Sequence, residues 1–146
     1  MTIRDYRPGD FDTLCDIDHR CFPPGIAYTA EDIAMALLEP GSFALVGEEQ
    51  DEIGGFVLAR QERSGRGHII TIDVVTEQRR SGLGTLLLEA SHRRLEKLGA
   101  KRVVLEVAVS NTPAIAFYSK HGYATQRRLR NYYLDSEDAW QMMKEL

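Results

Sequence analysis

The chain has 146 residues, of which 43% are hydrophobic and 27% charged, and a formal net charge of -4. This composition indicates one globular domain over residues 1–146 and argues against disorder and general nucleic-acid affinity. No apolar run is long enough to cross a membrane, and no signal-peptide core is visible. Cys15 and Cys21 do not make a disulfide framework, and the four histidines lack ligand spacing. We therefore expect a cytoplasmic protein without a metal site.

The N-terminal part predicts one short strand and two helices. Residues 2–6 form the strand, and Asp10 caps a helix whose apolar residues recur at helical spacing. Those residues are Phe11, Leu14, Cys15 and Ile17. The loop at 21–25 holds two prolines and a glycine, and it is either a wall of a substrate site or a plain connector. Thr29 starts the second helix with Asp32 as its capping-box partner, and a Pro-Gly pair ends it.

The middle of the chain predicts a hairpin, a buried strand and a helix. Residues 42–48 and 53–60 flank a polar turn and form the hairpin. Residues 68–75 carry Ile or Val on both faces, which is typical of a largely buried strand. A helix over residues 83–98 follows, and its apolar positions lie at three- and four-residue spacing. We expect it to bury Leu83, Leu86, Leu87, Ala90, Leu95 and Leu98.

The turn between this strand and this helix has the features of an anion site. Gly82 and Gly84 let the backbone come close to a bound group, and the helix N-terminus presents free N–H groups. Arg79 and Arg80 lie beside it, so a phosphate or pyrophosphate is the expected ligand. A P-loop would need Lys directly after the second glycine, and a dinucleotide fingerprint would need Gly or Ala at Leu87. The remaining alternative is an ordinary connection with incidental glycines and solvated arginines.

The C-terminal part predicts a strand, a short helix and two closing strands. Residues 102–109 are an apolar strand. Thr112 is expected as the N-cap of the helix, with Pro113 at its first position. Residues 123–131 and 139–146 form the closing strands. This order of strands and helices implies a mixed sheet with helices on its faces.

Glu106 is the anomaly in the apolar strand. Strict alternation places it beside Val104 and Ala108, on a face with no other charge. An ionised carboxylate there is costly unless it is paired or useful. Its role is either structural, in a salt bridge or at a wet cleft, or catalytic, and we favour the catalytic role.

Several motifs together resemble one enzyme family. Residues 79–84, Arg-Arg-Ser-Gly-Leu-Gly, match Arg/Gln-x-x-Gly-x-Gly/Ala and resemble the acetyl-CoA pyrophosphate loop of the GNAT family of N-acetyltransferases. Later motifs of that family are similar to Leu105-Glu106-Val107, Asn111, Ala114-Ile115-Ala116-Phe117-Tyr118 and Gly122-Tyr123. The branch that acetylates protein N-termini, which includes ribosomal-protein alanine acetyltransferases, is similar at Phe22-Pro23, Arg130-Asn131-Tyr132-Tyr133, Glu137-Asp138-Ala139 and Met142-Met143.

The resemblance implies a fold and an activity. The fold class is α/β (α+β), with a mixed, mostly antiparallel sheet of about seven strands and about four helices on its faces. The implied activity is acetyl transfer from acetyl-CoA, as co-substrate without a metal, to the N-terminal α-amino group of a protein. A ribosomal protein is the implied acceptor of the bacterial relatives. Membrane and nucleic acid are not expected as partners.

The resemblance also implies roles for individual residues. Glu106 is the general base, and Tyr118 donates a hydrogen bond to the departing thiolate. Cofactor contacts are expected from Ile72, Asp73, Val74, Arg79, Arg80, Ser81, Gly82, Leu83, Gly84, Thr85 and Asn111. Substrate contacts are expected from Phe22, Pro23, Tyr132 and Tyr133. The alternatives are a core aromatic at Tyr118 and cross-strand packing for the two later tyrosines.

Three positions depart from the family pattern. Thr76 stands where many relatives have proline, and Arg79 stands where glutamine is common. Asp73 takes a strand position that is often a small residue, and we expect it to alter the acceptor pocket. None of the three removes a residue that the chemistry requires.

Other functions remain open at this level. The same fold could acetylate a small-molecule amine or a lysine side chain. A non-catalytic acyl-CoA-binding module would need neither Glu106 nor Tyr118, so the presence of both argues against it. The basic run Arg127, Arg128 and Arg130 could contact RNA, but at this net charge we interpret it first as a solvated strand face.

Overall fold

Residues 1–79 and 81–146 are described by a computed structural model, and they form seven strands and four helices. The strands are β1 (Thr2–Asp5), β2 (Ser42–Glu49), β3 (Glu52–Gln61), β4 (Arg66–Val74), β5 (Arg102–Ala108), β6 (Ala124–Leu129) and β7 (Ala139–Glu145). The helices are α1 (Phe11–Cys21), α2 (Ala30–Leu38), α3 (Leu83–Lys97) and α4 (Thr112–Lys120). No helix of the described residues has the length and hydrophobicity to cross a bilayer.

All seven strands join one sheet in the order β1-β2-β3-β4-β5-β7-β6. Every neighbouring pair is antiparallel except β4 and β5, which run parallel. A parallel pair needs a crossover, and α3 supplies it. The predicted mixed, mostly antiparallel sheet with four helices is confirmed.

Each face of the sheet carries its own core. Leu45 and Val57 face one way, towards α3 and α4, while Val46 and Phe56 face α1. Neighbouring residues of one strand point to opposite faces, so both faces of β2 and β3 can be apolar. This explains why these central strands read as continuous apolar runs rather than as alternating ones.

Glycines on β3 decide how closely α3 approaches the sheet. A Cβ atom at Gly54 would lie 3.2 Å from Leu83 Cδ2, and one at Gly55 would lie 3.3 Å from Leu87 Cδ1. The first turn of α3 therefore sits directly on the backbone of the sheet. This contact fixes both the position of the helix N-terminus and the rotation of the helix about its axis.

That rotation corrects the predicted buried face of α3. Leu86 and Leu98 are 40% and 50% exposed, whereas Leu88 and Ser91 are buried. The spacing rule admits more than one apolar stripe in a leucine-rich helix. The glycine surface of β3 selects the stripe that begins with Leu83 and Leu87.

Two predicted helix caps are also corrected. The N-cap of α4 is Asn111 rather than Thr112, and its Oδ1 accepts a hydrogen bond from Ala114 N at 3.3 Å. Asp10 occupies the N-cap position of α1, but its side chain does not cap that helix. It accepts from Arg7 N at 2.8 Å and pairs with Arg4 at 2.9 Å. A charged partner holds a carboxylate more strongly than an orphan amide does.

Other local predictions are confirmed. The capping box at α2 has both bonds, Asp32 N to Thr29 Oγ1 at 3.0 Å and Thr29 N to Asp32 Oδ2 at 3.3 Å. The hairpin of β2 and β3 turns through Gln50 and Asp51, both of which have positive φ. Two central residues of this kind match the right-handed twist of the flanking strands.

Candidate functional site

The neighbouring strands β4 and β5 stop pairing partway along their length. They pair at only three positions, which join Arg66 with Arg102, Gly67 with Val103, and His68 with Val104. Beyond His68, β4 remains paired with β3 up to Val74, and β5 remains paired with β7 up to Ala108. The facing edges at 69–74 and 105–108 therefore lack a common ladder. A ligand with its own amide groups can bond to such edges.

The N-terminus of α3 lies beyond the end of β4. Its N-cap, Gly82, has φ of +89°, a conformation that favours glycine. No side chain of the described residues caps this helix, so its first amides can serve an anion. Gly84 lies close to the α4 aromatic Phe117, because a Cβ atom there would be 3.4 Å from the ring.

Several of the described residues predicted to bind the cofactor lie in the turn before α3 or in the first turn of that helix. Ser81 is exposed, and Leu83 is buried, so Leu83 can offer only its backbone. Arg79 Nε donates to the Val74 carbonyl at 3.0 Å, which ties the turn to the end of β4. Thr85 Oγ1 lies 3.1 Å from His121 Nε2. Arg80 lies outside the described residues.

Two other predicted cofactor residues have side chains with structural partners. The Asn111 side-chain carbonyl caps α4, whereas its NH₂ group has no such structural role. Asp73 is 1% exposed, and its Oδ1 accepts from Thr71 Oγ1 at 2.6 Å. Its side chain is thus buried, while the half-buried Ile72 and Val74 on either side point the other way. A buried side chain is not available to a ligand, so a cofactor contact of Asp73 stays a prediction for its backbone alone.

The Glu106 carboxylate lies just beyond the last pair of β4 and β5. Its Oε1 is 2.7 Å from His68 Nε2 and accepts a weaker bond from the Tyr132 hydroxyl at 3.4 Å. The Glu106 side chain is 10% exposed, so it is partly desolvated but reachable. The charge on an apolar strand face is thus both paired and placed at the opening between the strands.

His68 was missed by the sequence analysis, although it begins the predicted strand. Its Nδ1 lies 3.0 Å from Glu62 Oε2, and Glu62 Oε1 accepts from Arg66 at 2.8 Å. Burial lowers the pKa of His68, but the hydrogen bonds and charges of Glu106 and Glu62 outweigh burial and leave it raised. Burial raises the pKa of Glu62, yet His68 and Arg66 outweigh that effect and leave it lowered. An imidazolium with both N–H groups bonded to carboxylates fits this arrangement.

Tyr118 is a buried residue of α4. Its ring packs edge-on against Phe117 at 5.4 Å and Tyr123 at 5.7 Å. Burial, with a smaller contribution from the Asp73 carboxyl, raises the pKa of Tyr118. The phenol therefore stays neutral at physiological pH and keeps its proton for donation.

The loop between α1 and α2 meets the loop between β6 and β7. Leu134 N donates to the Gly25 carbonyl at 3.1 Å. Phe22 is half-buried in the first loop and Pro23 is exposed. Tyr132 and Tyr133 belong to the second loop and pack edge-to-face at 4.9 Å. Because both lie outside the strands, cross-strand packing does not explain them.

Tyr28 is a second residue that the sequence analysis missed. It lies in the α1–α2 loop, and its hydroxyl donates to the Ile70 carbonyl of β4 at 3.4 Å. Burial, followed by the charges of Tyr132 and Glu106, raises the pKa of Tyr28. Tyr132 contacts the Glu106 carboxylate, and Tyr28 and Tyr133 lie near enough for its charge to raise their pKa values. No group of three or more metal-binding side chains occurs among residues 1–79 and 81–146.

Known proteins share this architecture. Residues 11–123 match the profile of the acetyltransferase (GNAT) family. An N-alpha-acetyltransferase of Sulfurisphaera tokodaii is 34% identical, with 99% of this chain and 92% of the relative covered. Ard1 from Thermoplasma volcanium has a TM-score of 0.89 and 26% identity, with 99% and 97% covered. The ribosomal-protein-S18-alanine N-acetyltransferase of Escherichia coli has a TM-score of 0.86 and 26% identity, with 99% and 92% covered.

Proposed function

Because this chain belongs to the acetyltransferase (GNAT) family and is an N-acetyltransferase that uses acetyl-CoA, we propose that its acceptor is the N-terminal α-amino group of a protein. The observation that carries this proposal is the position of Glu106. Its Oε1 is bonded to His68 and Tyr132, so one carboxylate joins the opening between β4 and β5 to the loop between β6 and β7.

An α-amine is easier to deprotonate than a lysine side chain. With a pKa of about 7.8, it is about one-tenth neutral at pH 7, whereas a lysine amine near 10.4 is neutral in fewer than about one in a thousand molecules. Glu106, directly or through a water, takes the proton as the amine attacks the thioester carbon. His68 and Tyr132 occupy Oε1, which leaves Oε2 to accept that proton.

The donor side uses backbone groups and one phenol. The unpaired edges of β4 and β5 receive the pantetheine amides, and the uncapped N-terminus of α3 binds the pyrophosphate. The Val74 N–H stabilises the thioester oxygen as negative charge develops on it. Tyr118 donates a hydrogen bond to the departing sulfur. A phenol and a thiol have reference pKa values of about 10 and 8.5, so hydrogen-bond stabilisation suffices without full proton transfer.

The acceptor side uses the two joined loops. Phe22, Tyr28, Tyr132 and Tyr133 offer apolar ring faces, and the three tyrosines add hydroxyl groups at their tips. Such side chains hold an extended peptide by packing and hydrogen bonds. The first acceptor to test is a ribosomal protein terminus, because the Escherichia coli neighbour carries that activity in its name. A reducing, cytoplasmic location is part of the proposal, and the free thiols Cys15 and Cys21 support it.

Thiol release from acetyl-CoA tests the acceptor class. One peptide is offered in two forms, with a free N-terminus and with that terminus blocked, and both keep an internal lysine. We expect release only with the free terminus. Release with the blocked peptide would move the acceptor to lysine. Release with neither peptide but with small amines would contradict the protein acceptor, and the Glu106→Gln variant controls for hydrolysis by contaminants.

A further inference from the structure

Two buried carboxyl groups, one on α1 and one on β4, lie close enough to interact beside the loop between α1 and α2, which we call the acceptor loop. Asp18 of α1 is 0% exposed and Asp73 of β4 is 1% exposed. Asp18 Oδ2 accepts from Tyr28 N at 2.7 Å, and Asp73 Oδ1 accepts from Thr71 Oγ1 at 2.6 Å. The second oxygen of each carboxyl, Asp18 Oδ1 and Asp73 Oδ2, is buried without a partner among the described residues.

One proton between the two carboxyls would satisfy both unpartnered oxygens. Burial and hydrogen bonding to Asp18 raise the pKa of Asp73 well above its ordinary value, and Thr71 and Arg79 oppose this less strongly. Two ionised carboxylates in an apolar site would repel each other and forfeit hydration, so one of them retains its proton.

The surroundings supply little positive charge to this pair. Cys21 on α1, Tyr28 in the following loop and Tyr118 on α4 all sense the Asp73 carboxyl, and each is neutral in its ordinary form. Arg79 in the turn after β4 is the cation that opposes the shift, but it is exposed and bonded to the Val74 carbonyl. The described neighbours therefore do not neutralise a second negative charge on this pair, whereas a shared proton would.

We propose that Asp73 and Asp18 share one proton and that this acid pair is a positioning device, which fastens the acceptor loop to β4. Asp18 holds the backbone of Tyr28, whose hydroxyl reaches Ile70 on the same strand. Asp73 directly precedes Val74, the position assigned to the thioester oxygen. The pair thus connects the acceptor loop to β4 one residue before Val74. The expected effect on kinetics rests on the proposed function.

Two substitutions at Asp73 separate this role from simple packing. Asp73→Asn keeps a donor for Asp18 Oδ1 without a titrating proton, whereas Asp73→Leu keeps the size and removes the donor. We expect the leucine variant to raise the acceptor KM about tenfold or more, since it leaves Asp18 Oδ1 buried with no group that could donate to it. The asparagine variant should raise the acceptor KM much less than the leucine variant does. Equal acceptor KM values in both variants would overturn the proposal.

Asp10→Asn is the matched control. Asp10 is also a buried carboxylate beside α1, but its partner is Arg4, away from the acceptor loop. This control should lower Tm and leave the acceptor KM unchanged. A rise in its KM like that of the leucine variant would mean that general destabilisation of α1 explains the effect.

Thermal unfolding without substrate tests the shared proton independently of the acceptor. A carboxyl whose folded-state pKa is raised makes the wild type lose stability as pH rises from about 4 towards that folded-state pKa. Asp73→Asn does not titrate, so its Tm should gain roughly 2–4 °C on the wild type per pH unit within that window. Parallel Tm curves would overturn the shared proton, whatever amine the enzyme acetylates.

Discussion

His68 Nε2 lies 2.7 Å from Glu106 Oε1, at the point where β4 and β5 stop pairing. His68 is the last residue of β4 that pairs with β5, and it contacts Glu106, which lies two residues beyond the last pair on β5. This contact orients the proposed base and gives it a partner whose charge depends on pH. It makes the two residues separable by experiment, because one should act on chemistry and the other on pH response.

Replacing Glu106 by Gln should lower kcat by about 10²–10⁴, the usual contribution of a general base. The amide keeps the shape and can still accept from His68, so the acetyl-CoA dissociation constant should stay nearly unchanged. Steady-state kinetics and calorimetric titration measure the two quantities. A variant as active as the parent would remove Glu106 from the role of base.

Replacing His68 by Gln should change how stability depends on pH. The folded-state pKa of His68 is raised, so its ion pairs stabilise the wild type fully below the unfolded value of about 6.5. This advantage over the variant is lost as pH rises through the folded-state pKa. Urea unfolding of both proteins at several pH values measures the difference. An advantage that grows with rising pH would contradict the assignment.

Replacing His92 by Gln should give the opposite slope. Burial, helped by Lys144 and His121, lowers the pKa of His92 to about 4, and its Nε2 lies 2.7 Å from the Tyr123 hydroxyl. The wild type should lose stability relative to the variant as pH falls from about 6.5 through about 4. Acid-titrated unfolding curves test this. The pair His68 and His92 thus forms an internal control for the sign of each effect.

Replacing Tyr118 by Phe should lower kcat by about 10- to 100-fold, which corresponds to one hydrogen bond to a developing charge. The ring contacts with Phe117 and Tyr123 remain, so Tm should change little. Single-turnover kinetics with thiol detection measure the chemical step. Unchanged turnover with lowered Tm would instead support the interpretation of Tyr118 as a core aromatic.

Replacing Tyr132 by Ala should raise the KM for a peptide far more than that for a small amine, because the small amine does not reach the aromatic wall. Tyr132→Phe isolates the hydroxyl that bonds to Glu106 at 3.4 Å and should have the smaller effect on peptide binding. Competition between the two acceptors in one reaction measures the ratio directly. Equal losses with both acceptors would count against a protein acceptor.

Local sequence patterns predict the elements and the anion turn, because their signals lie within a few residues of each other. The glycines at 82 and 84, the capping box at Thr29 and the hairpin at Gln50 are all of this kind. The contact of His68 with Glu106 spans 38 positions and depends on the register between two strands. Composition and local spacing do not predict the register between strands that are far apart in the sequence.

The buried face of α3 and the partners of Asp73 show the same division. Leu86 and Leu88 are equal candidates by spacing, and the glycines of β3 choose between them. Asp73 is an acidic residue at a site-lining position, but only the packing of α1 on β4 gives it Asp18 as a partner. Tertiary contact thus decides orientation where local propensity decides only the type of element.

The three-pair ladder between β4 and β5 also makes this the weakest connection between the two halves of the sheet. Four strands lie on one side of it and three on the other, and each side keeps its own continuous hydrogen bonding. A pantetheine arm that lies between β4 and β5 would bridge the two halves of the sheet through its own hydrogen bonds. Release of coenzyme A would then break the hydrogen bonds that connect β4 with β5. Turnover would therefore depend on how rigidly the two halves of the sheet are held together.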